Sequence, residues 1–307
     1  CRSCETTCPS GVEYGQLLEI GREMMESKRG KLQALYRYIV RKTLLTPLLF
    51  RPIGYFLRHS KVSSKPIKPN TIDSSVLLMG GCVQPSLAPN INHSIKNILA
   101  KLNIEVRESS QSECCGALDQ HLAASNDALK KVKRNIDTWI SQLDSGVEAI
   151  ISSASGCGVM IKDYPNLFEE SDPYYEKALL VSSKTKDIAE FLANKDLSML
   201  NLKELNISYH EPCTMQHGQK LGGLVESILS DFGYIKKTVK DSHICCGSAG
   251  TYSIFETKIA NQLRSEKIEN LNASKPKMIV TSNIGCLMHL QKGSSIPVKH
   301  WVELLDV

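Results

Sequence analysis

Eleven cysteines carry most of the chemistry legible in this sequence. Three stand at the start, as Cys1-x2-Cys4-x3-Cys8-Pro9. The other eight form two sets in the same order: Cys82, Cys114, Cys115 and Cys157, then Cys213, Cys245, Cys246 and Cys286. The first interval is 32 residues in both sets, and the last is 42 residues in one and 40 in the other. Each vicinal pair is followed by glycine, Gly116 or Gly247. Such matched spacing points to an internal duplication. Thiolates are soft ligands that suit iron–sulfur clusters and zinc. Adjacent cysteines strain a mutual disulfide but can share one metal centre, and glycine beside them leaves room for a bulky inorganic core. No signal peptide is expected before Cys1. Clustered cysteines in such a chain indicate metal or redox chemistry in a reducing compartment, not secreted disulfides.

The elements that position these residues also repeat. Ser75-Val76-Leu77-Leu78-Met79 leads into Gly80-Gly81-Cys82, and Asn206-Ile207-Ser208-Tyr209 leads into His210-Glu211-Pro212-Cys213. Ala149-Ile150-Ile151 precedes Ser155-Gly156-Cys157, and Met278-Ile279-Val280 precedes Ile284-Gly285-Cys286. Each is a short β-branched run ending in a turn, the pattern of a buried strand. Between them, Leu129, Val132, Ile136, Ile140 and Leu143 share one helical face, as do Ile95, Ile98, Leu99 and Leu102. Alternating strands and helices predict an α/β fold with parallel sheets, and ligands in such folds sit at the carboxyl ends of the strands. Two short helices, Asp187–Leu192 and His300–Leu305, close the repeats. Residues 164–177 are expected to form a surface loop inserted in the first repeat. The predicted organisation is a helical remnant of an iron–sulfur domain at 1–27, a basic helical linker at 28–72, and two homologous cysteine-rich α/β domains at 73–205 and 206–307. The boundary between the last two falls near Asn201–Leu205.

The 307 residues include 37 Lys+Arg against 32 Asp+Glu, with 42% hydrophobic and 22% charged. That is globular composition, which excludes a disordered chain and a small disulfide scaffold, and no apolar run approaches the length of a transmembrane helix. The basic excess is local. Between Lys28 and Lys68 lie 11 Lys/Arg and no Asp or Glu, leaving 26 basic against 32 acidic residues elsewhere. Leucines and aromatics are interleaved with those cations, and Pro47 and Pro52 are expected to break the stretch into pieces. It reads either as a basic amphipathic surface for an anionic membrane or partner, or as a packed linker with a solvated edge. No nucleic-acid-binding pattern accompanies the charge. No G-x-G-x-x-G follows a strand, so nothing indicates a nucleotide site, and no catalytic residue is assigned.

The N-terminal spacing matches the last three cysteines of the bacterial ferredoxin run C-x2-C-x2-C-x3-C-P. The first would lie three residues before Cys1, so the chain reads as a fragment that begins inside the motif. A zinc knuckle is the alternative. The CCG repeats resemble the cysteine-rich domain of the heterodisulfide reductase B-type family. The opening text, CRSCETTCPSGVEYGQLLEIGRE, resembles the glycolate oxidase iron–sulfur subunit family within that group. The resemblance covers essentially the whole chain.

It implies an electron-transfer subunit with two 4Fe-4S clusters in an intact N-terminal domain, Cys1 and Cys4 serving one and Cys8 the other. It further implies an iron–sulfur cluster or zinc in each CCG repeat, all 11 cysteines being metal ligands. The implied partners are FAD-binding glycolate oxidase subunits, which would oxidise glycolate to glyoxylate, and a quinone or membrane acceptor. The implied place is the cytoplasm, with peripheral contact at the inner face of the cell membrane through residues 28–68. Among relatives, a lactate-utilisation or glycerol-3-phosphate dehydrogenase subunit and a thiol-redox protein of heterodisulfide reductase type are alternatives. One departure bears on the metal. Where the heterodisulfide reductase type completes a C-x2-C pair, this chain has Met160 and His289. Each repeat thus offers four thiolates, not five, and they could hold an ordinary cluster, zinc, or a cluster with a substitute ligand. Met160 is expected in the core. His289 could be a substitute ligand or could satisfy a backbone carbonyl. His210, His217 and His243, near the second set, could tune a centre by hydrogen bonding or be structural.

Overall fold

The apolar runs before the cysteines are strands. The computed structural model describes residues 1–62, 64–112, 114–200, 205–236 and 238–306. It begins with four helices: α1 Ser3–Thr7, α2 Tyr14–Ser27, α3 Lys31–Leu45 and α4 Pro47–Phe56. Pro47 starts α4, where its missing N–H is no loss, and so it divides α3 from α4. Pro52 does not break the chain as expected. It lies inside α4, between buried Phe50 and Gly54, with about one turn of helix left beyond it.

The first half continues with β1 Ser74–Leu78, α5 Gln84–Leu87, α6 Pro89–Lys101, β2 Ile104–Arg107, α7 Ala117–His121, α8 Ser125–Asp144 and β3 Ala149–Ser152. It ends with α9 Ser155–Lys162, a 3-10 turn Tyr164–Leu167, α10 Tyr175–Lys184, β4 Thr185–Asp187 and α11 Ile188–Leu192. The second half holds β5 Asn206–His210, a π turn Thr214–Gly218, α12 Leu224–Asp231, β6 Ile235–Lys236, α13 Tyr252–Phe255 and α14 Thr257–Asn272. It ends with β7 Met278–Thr281, α15 Ile284–Gln291, β8 Val298–His300 and a 3-10 turn Trp301–Leu304. The expected boundary at Asn201–Leu205 lies, except for Leu205, outside the described residues. Among the described residues no helix is long and apolar enough to cross a membrane.

Both sheets are parallel, in the orders β2-β1-β3-β4 and β6-β5-β7-β8. The fold is therefore α/β, built twice. The pleat sorts side chains by alternation. Val76, Leu78 and Ile151 face an apolar cluster that extends into the second half through Ile207, Tyr209 and Trp301. Leu77, Met79 and Ile150 face a cluster confined to the first half, with Val132, Ile136 and Trp139 from α8.

The halves exchange equivalent elements. In the first, α6 packs on the Trp301–Leu304 turn of the second; in the second, α12 packs on α11 of the first. Both closing turns carry a capping box, Asp187 with Glu190 and His300 with Glu303. These are the two chain segments whose likeness suggests repeat closure, and the cap explains why each turns abruptly after its strand.

Residues 164–177 are not a simple surface loop. Tyr164 is fully buried, and Phe168 is nearly so. The Tyr164 ring stacks on Trp139 at 6.1 Å between centroids. Its hydroxyl donates to the Cys115 carbonyl at 3.0 Å. The aromatic surface of the insertion is needed to close the core over the vicinal pair, so only part of the segment meets solvent.

Candidate metal centres

Strand order decides where the thiols meet. In each half one inner strand connects to its neighbouring edge, β1 to β2 and β5 to β6, and the other connects to the opposite edge, β3 to β4 and β7 to β8, so the direction reverses between the inner strands. The crevice at such a reversal, beyond the carboxyl ends, is where open α/β sheets hold ligands. Cys82 follows β1, Cys114 and Cys115 follow β2, and Cys157 lies in the first turn of α9 after β3. Cys213, Cys245, Cys246 and Cys286 repeat the arrangement after β5, β6 and β7. None of the 11 cysteines is in a disulfide.

In the first set the thiols touch in series: Cys82 with Cys114, Cys114 with Cys115, and Cys115 with Cys157. Cys115 and Cys82 donate to Cys114 and hold its thiol well below the usual value, while those contacts and burial push Cys82 and Cys115 well up. Lys131 helps to lower Cys114 and pairs with Asp119 at 2.5 Å. Asp119 also takes Arg41 Nη1 at 2.8 Å. Asn135 Nδ2 donates to the Cys114 carbonyl at 3.1 Å.

The second set repeats the series. Cys213 Sγ lies 3.9 Å from Cys245 Sγ, Cys245 contacts Cys246, and Cys246 contacts Cys286. The Cys213 contact drives the Cys245 thiol far down. The Cys246 contact brings Cys286 to about 6 against the cost of burial, with further lowering from His210. A buried cation stands here too. Lys267 Nζ donates to the Asp241 carbonyl at 2.6 Å, and burial lowers its pKa against the pull of Cys246 and Cys245. Neither Lys131 nor Lys267 was legible as part of a site, because both lie on long amphipathic helices well beyond their vicinal pairs.

Gly116 and Gly247 have φ of +92° and +87°, a region open to glycine and strained for other residues. At Gly247 a Cβ would also meet the Ala260 carbonyl oxygen at 2.6 Å. The glycine after each vicinal pair is thus needed for the backbone turn, and at Gly247 for close helix packing as well.

The N-terminal thiols are not drawn into either set. Cys1 and Cys4 are exposed and Cys8 is half-buried. Backbone N–H groups near Val12 and Ser10 lower the Cys8 pKa. Arg2 Nη1 pairs with Asp163 at 2.5 Å beyond α9, and Thr6 Oγ1 lies 2.7 Å from His217 Nδ1 in the turn after Cys213. The N-terminal segment therefore rests beside the second set.

The other flagged residues separate. Met160 is core, packed with Cys114 and Cys115. His289 Nε2 lies 3.1 Å from the Ala260 carbonyl, so its ring satisfies the backbone of α14. His243 is exposed. His210 is 2% exposed. Its ring reaches the thiols: one nitrogen lies within 4.8 Å of both Cys246 Sγ and Cys286 Sγ.

The cysteine-rich domain (CCG) family matches residues 76–162 and 207–291, spans that contain both four-thiol sets. Over its full length this chain is 40% identical to the glycolate oxidase iron-sulfur subunit of Escherichia coli (strain K12), covering 80% of that protein. The chain belongs to the glycolate oxidase iron–sulfur subunit family. Lactate utilization protein A of Bacillus subtilis (strain 168) is 26% identical over 75% of this chain and 98% of its own length. Among solved structures, Picrophilus torridus aspartate racemase covers 76% of this chain and 91% of its own at 12% identity, with a TM-score of 0.33, too low to bear on the fold.

The residues of this family member fit an iron–sulfur group. Each half converges four unbridged thiols at a strand-order reversal, with a positive-φ glycine beside the vicinal pair and a lysine near enough to offset thiolate charge. Such a site can hold a metal centre in a low-dielectric setting, where burial and hydrogen bonds to sulfur set its potential.

Proposed function

We propose that this chain is the iron–sulfur electron-transfer subunit of a glycolate-oxidising complex, passing electrons from an FAD-binding partner toward quinone. The carrying observation is the paired four-thiol sets, each built at the same place on a repeated sheet, with a third group of thiols docked beside the second. Family membership supports the oxidoreductase role, and the chemistry on glycolate itself belongs to the partner. In this reading residues 1–27 are the end of a ferredoxin-type domain, 28–72 a basic linker, and 73–205 and 206–307 the CCG domains.

Cys1, Cys4 and Cys8 would serve the two N-terminal 4Fe-4S clusters. Cys82, Cys114, Cys115 and Cys157 would hold one CCG centre, and Cys213, Cys245, Cys246 and Cys286 the other. Bound there, an iron–sulfur group supplies reversible one-electron storage. The chain's own part is to exclude water, to donate hydrogen bonds and to place cations. Lys131 and Lys267 oppose the thiolate charge, and Tyr164 and Asn135 pin the carbonyls of the Cys114-Cys115 pair.

The linker supports contact with an anionic membrane surface. Leu32, Leu48 and Phe56 are 84%, 82% and 86% exposed. Lys31, Arg51, Lys61, Lys65 and Lys68 are also exposed and make no salt bridge among the described residues. Each cation near such a surface contributes about 1 kcal/mol. Sedimentation with anionic vesicles tests it: Leu32→Glu with Phe56→Glu should abolish binding that neutral vesicles never show.

The deciding experiment mixes anaerobically purified protein with its flavoprotein partner and follows cluster EPR signals after glycolate is added. Reduction by glycolate, and not by lactate or glycerol 3-phosphate, is expected. Clusters that stay oxidised with glycolate but are reduced with lactate would move the chain to the lactate-utilisation reading. Zinc without iron would end the electron-transfer reading.

A further inference from the structure

The two thiol sets are not chemically equivalent, and the difference lies at one position. Counting back from the first cysteine of each set, Met79 before Cys82 corresponds to His210 before Cys213. Met79 directly follows β1, and His210 is the last residue of β5. Met79 is buried in the first-half core. His210 pairs with Thr281 of β7 in the strand register, and its ring turns to the thiols. A ring nitrogen lies within 4.8 Å of Cys246 Sγ and Cys286 Sγ, and those two sulfurs lie within the same distance of each other.

The ring, although it interacts with Cys286, is also incompletely satisfied. His210 is 2% exposed, and its Nε2 is buried without a hydrogen-bond partner among the described residues. A buried polar atom left unmade costs about 1–3 kcal/mol, and such atoms at a ligand crevice are ones that a bound group completes. The histidine singled out by the C-x2-C spacing, His289, has no such vacancy, because Ala260 fills it.

We propose that His210 is a nitrogen ligand to the iron of the second CCG centre. This rests on the reading that the CCG sites hold iron–sulfur clusters. The second donor set is then Cys213, Cys245, Cys246, Cys286 and His210, five groups, whereas the first has four thiols and a methionine that faces the core. The fifth donor missing from the C-x2-C position is supplied from the strand end instead. Imidazole is neutral where thiolate is negative. A histidine-ligated iron is therefore easier to reduce than an all-thiolate one, as when histidines replace cysteines on one iron of a two-iron cluster. With His210 where a fifth thiolate could stand, the second centre is easier to reduce than it would be with cysteine there.

The test uses the full chain, purified anaerobically with its iron, grown once with 15N-histidine and once without, and compared by pulsed EPR of the reduced protein. Metal content of Cys286→Ser against wild type first establishes whether the second site holds iron. With iron present there, a directly coordinated 15N coupling is expected, lost in His210→Gln and kept in His289→Gln. The signal carrying that coupling should shift to lower potential in His210→Cys. Should His210→Gln fail to fold, the labelled wild type still decides. Iron in the second site with no strongly coupled histidine nitrogen overturns this proposal and leaves the cluster reading standing. Iron unchanged by Cys286→Ser, or zinc alone, overturns both.

Discussion

Thr6 Oγ1 lies 2.7 Å from His217 Nδ1, which ties the helix carrying Cys4 to the turn that immediately follows Cys213. Together with the Arg2–Asp163 pair, this contact seats the N-terminal segment across both halves but next to the thiols of only one. Its physical consequence is a preferred neighbour for any centre held at Cys1, Cys4 or Cys8.

That seat is held by polar contacts near the surface, each worth about 1 kcal/mol or less. Thr6→Val combined with Asp163→Ala is expected to raise the open population of residues 1–13 about ten-fold, a change of about 1.4 kcal/mol. Glu-specific proteolysis at Glu5 and Glu13 should accelerate by the same factor, with metal content of the CCG sites unchanged. An unaltered cleavage rate would show that other contacts hold the segment.

Asp187 and His300 occupy equivalent capping positions, and burial disfavours the charged form of each. Burial raises Asp187 to about 6 and lowers His300 to about 4. For Asp187 the folded value is above the unfolded one, so its stability is full below about pH 4 and is lost as pH rises through 6. For His300 the folded value is below the unfolded one, so its stability is full above about pH 6.5 and is lost as pH falls through 4. Each amounts to about 3 kcal/mol, and the two oppose each other across that window. Wild-type urea midpoints should therefore stay nearly flat between pH 4.5 and 6.5. Asp187→Asn keeps the cap and can donate to Gln219 Oε1, which is unpartnered now. It should leave a stability that climbs with pH over that range. A flat profile in Asp187→Asn would refute the opposition.

Gly247→Ala should be far more damaging than Gly116→Ala. Both glycines have positive φ, but a Cβ at Gly247 would meet a backbone oxygen at 2.6 Å, whereas at Gly116 the nearest atom is the Val132 Cγ2 at 3.4 Å. The strain at φ > 0 costs about 1–2 kcal/mol at either site, and the backbone clash adds to it only at Gly247. Metal retention measured site by site should fall first in the second half for Gly247→Ala. Equal losses would mean that backbone conformation alone governs both loops.

Asp119 is 1% exposed and binds both Arg41 of α3 and Lys131 of α8. Asp119→Ala leaves Lys131 without its carboxylate and Arg41 with Asp127 alone, and breaking a buried pair costs about 3–5 kcal/mol. Thermal unfolding is expected to drop by several degrees, and Arg41→Met in the same chain should restore part of it. No recovery in the double variant would place the cost in Lys131 alone.

Much of the layout is legible in the sequence. Four central strands announced themselves as β-branched runs, and the matched cysteine intervals announced the duplication. The flanking strands did not, because Ile104–Arg107, Thr185–Asp187 and Val298–His300 are short and mixed in polarity. Pairing to a neighbour makes them strands, and local composition cannot show that. Tyr164 was misplaced for a similar reason: an insertion looks solvent-facing until the core that it covers is known.

The sharper contrast concerns histidine. Residue types, their order and their count follow from the chain, so eight thiols in two sets, a CCG glycine in each, and a basic linker could all be stated without a fold. Which imidazole joins the thiols could not. His289 stands at the suggestive spacing, yet Ala260 of α14, 29 residues away, takes its Nε2. His210 stands outside that spacing, yet it shares a crevice with Cys286, which is 76 residues further along. Parallel pairing of β5 with β7 brings those ends together. That pairing is a long-range contact, set by burial of two strand faces and not by anything adjacent to either residue.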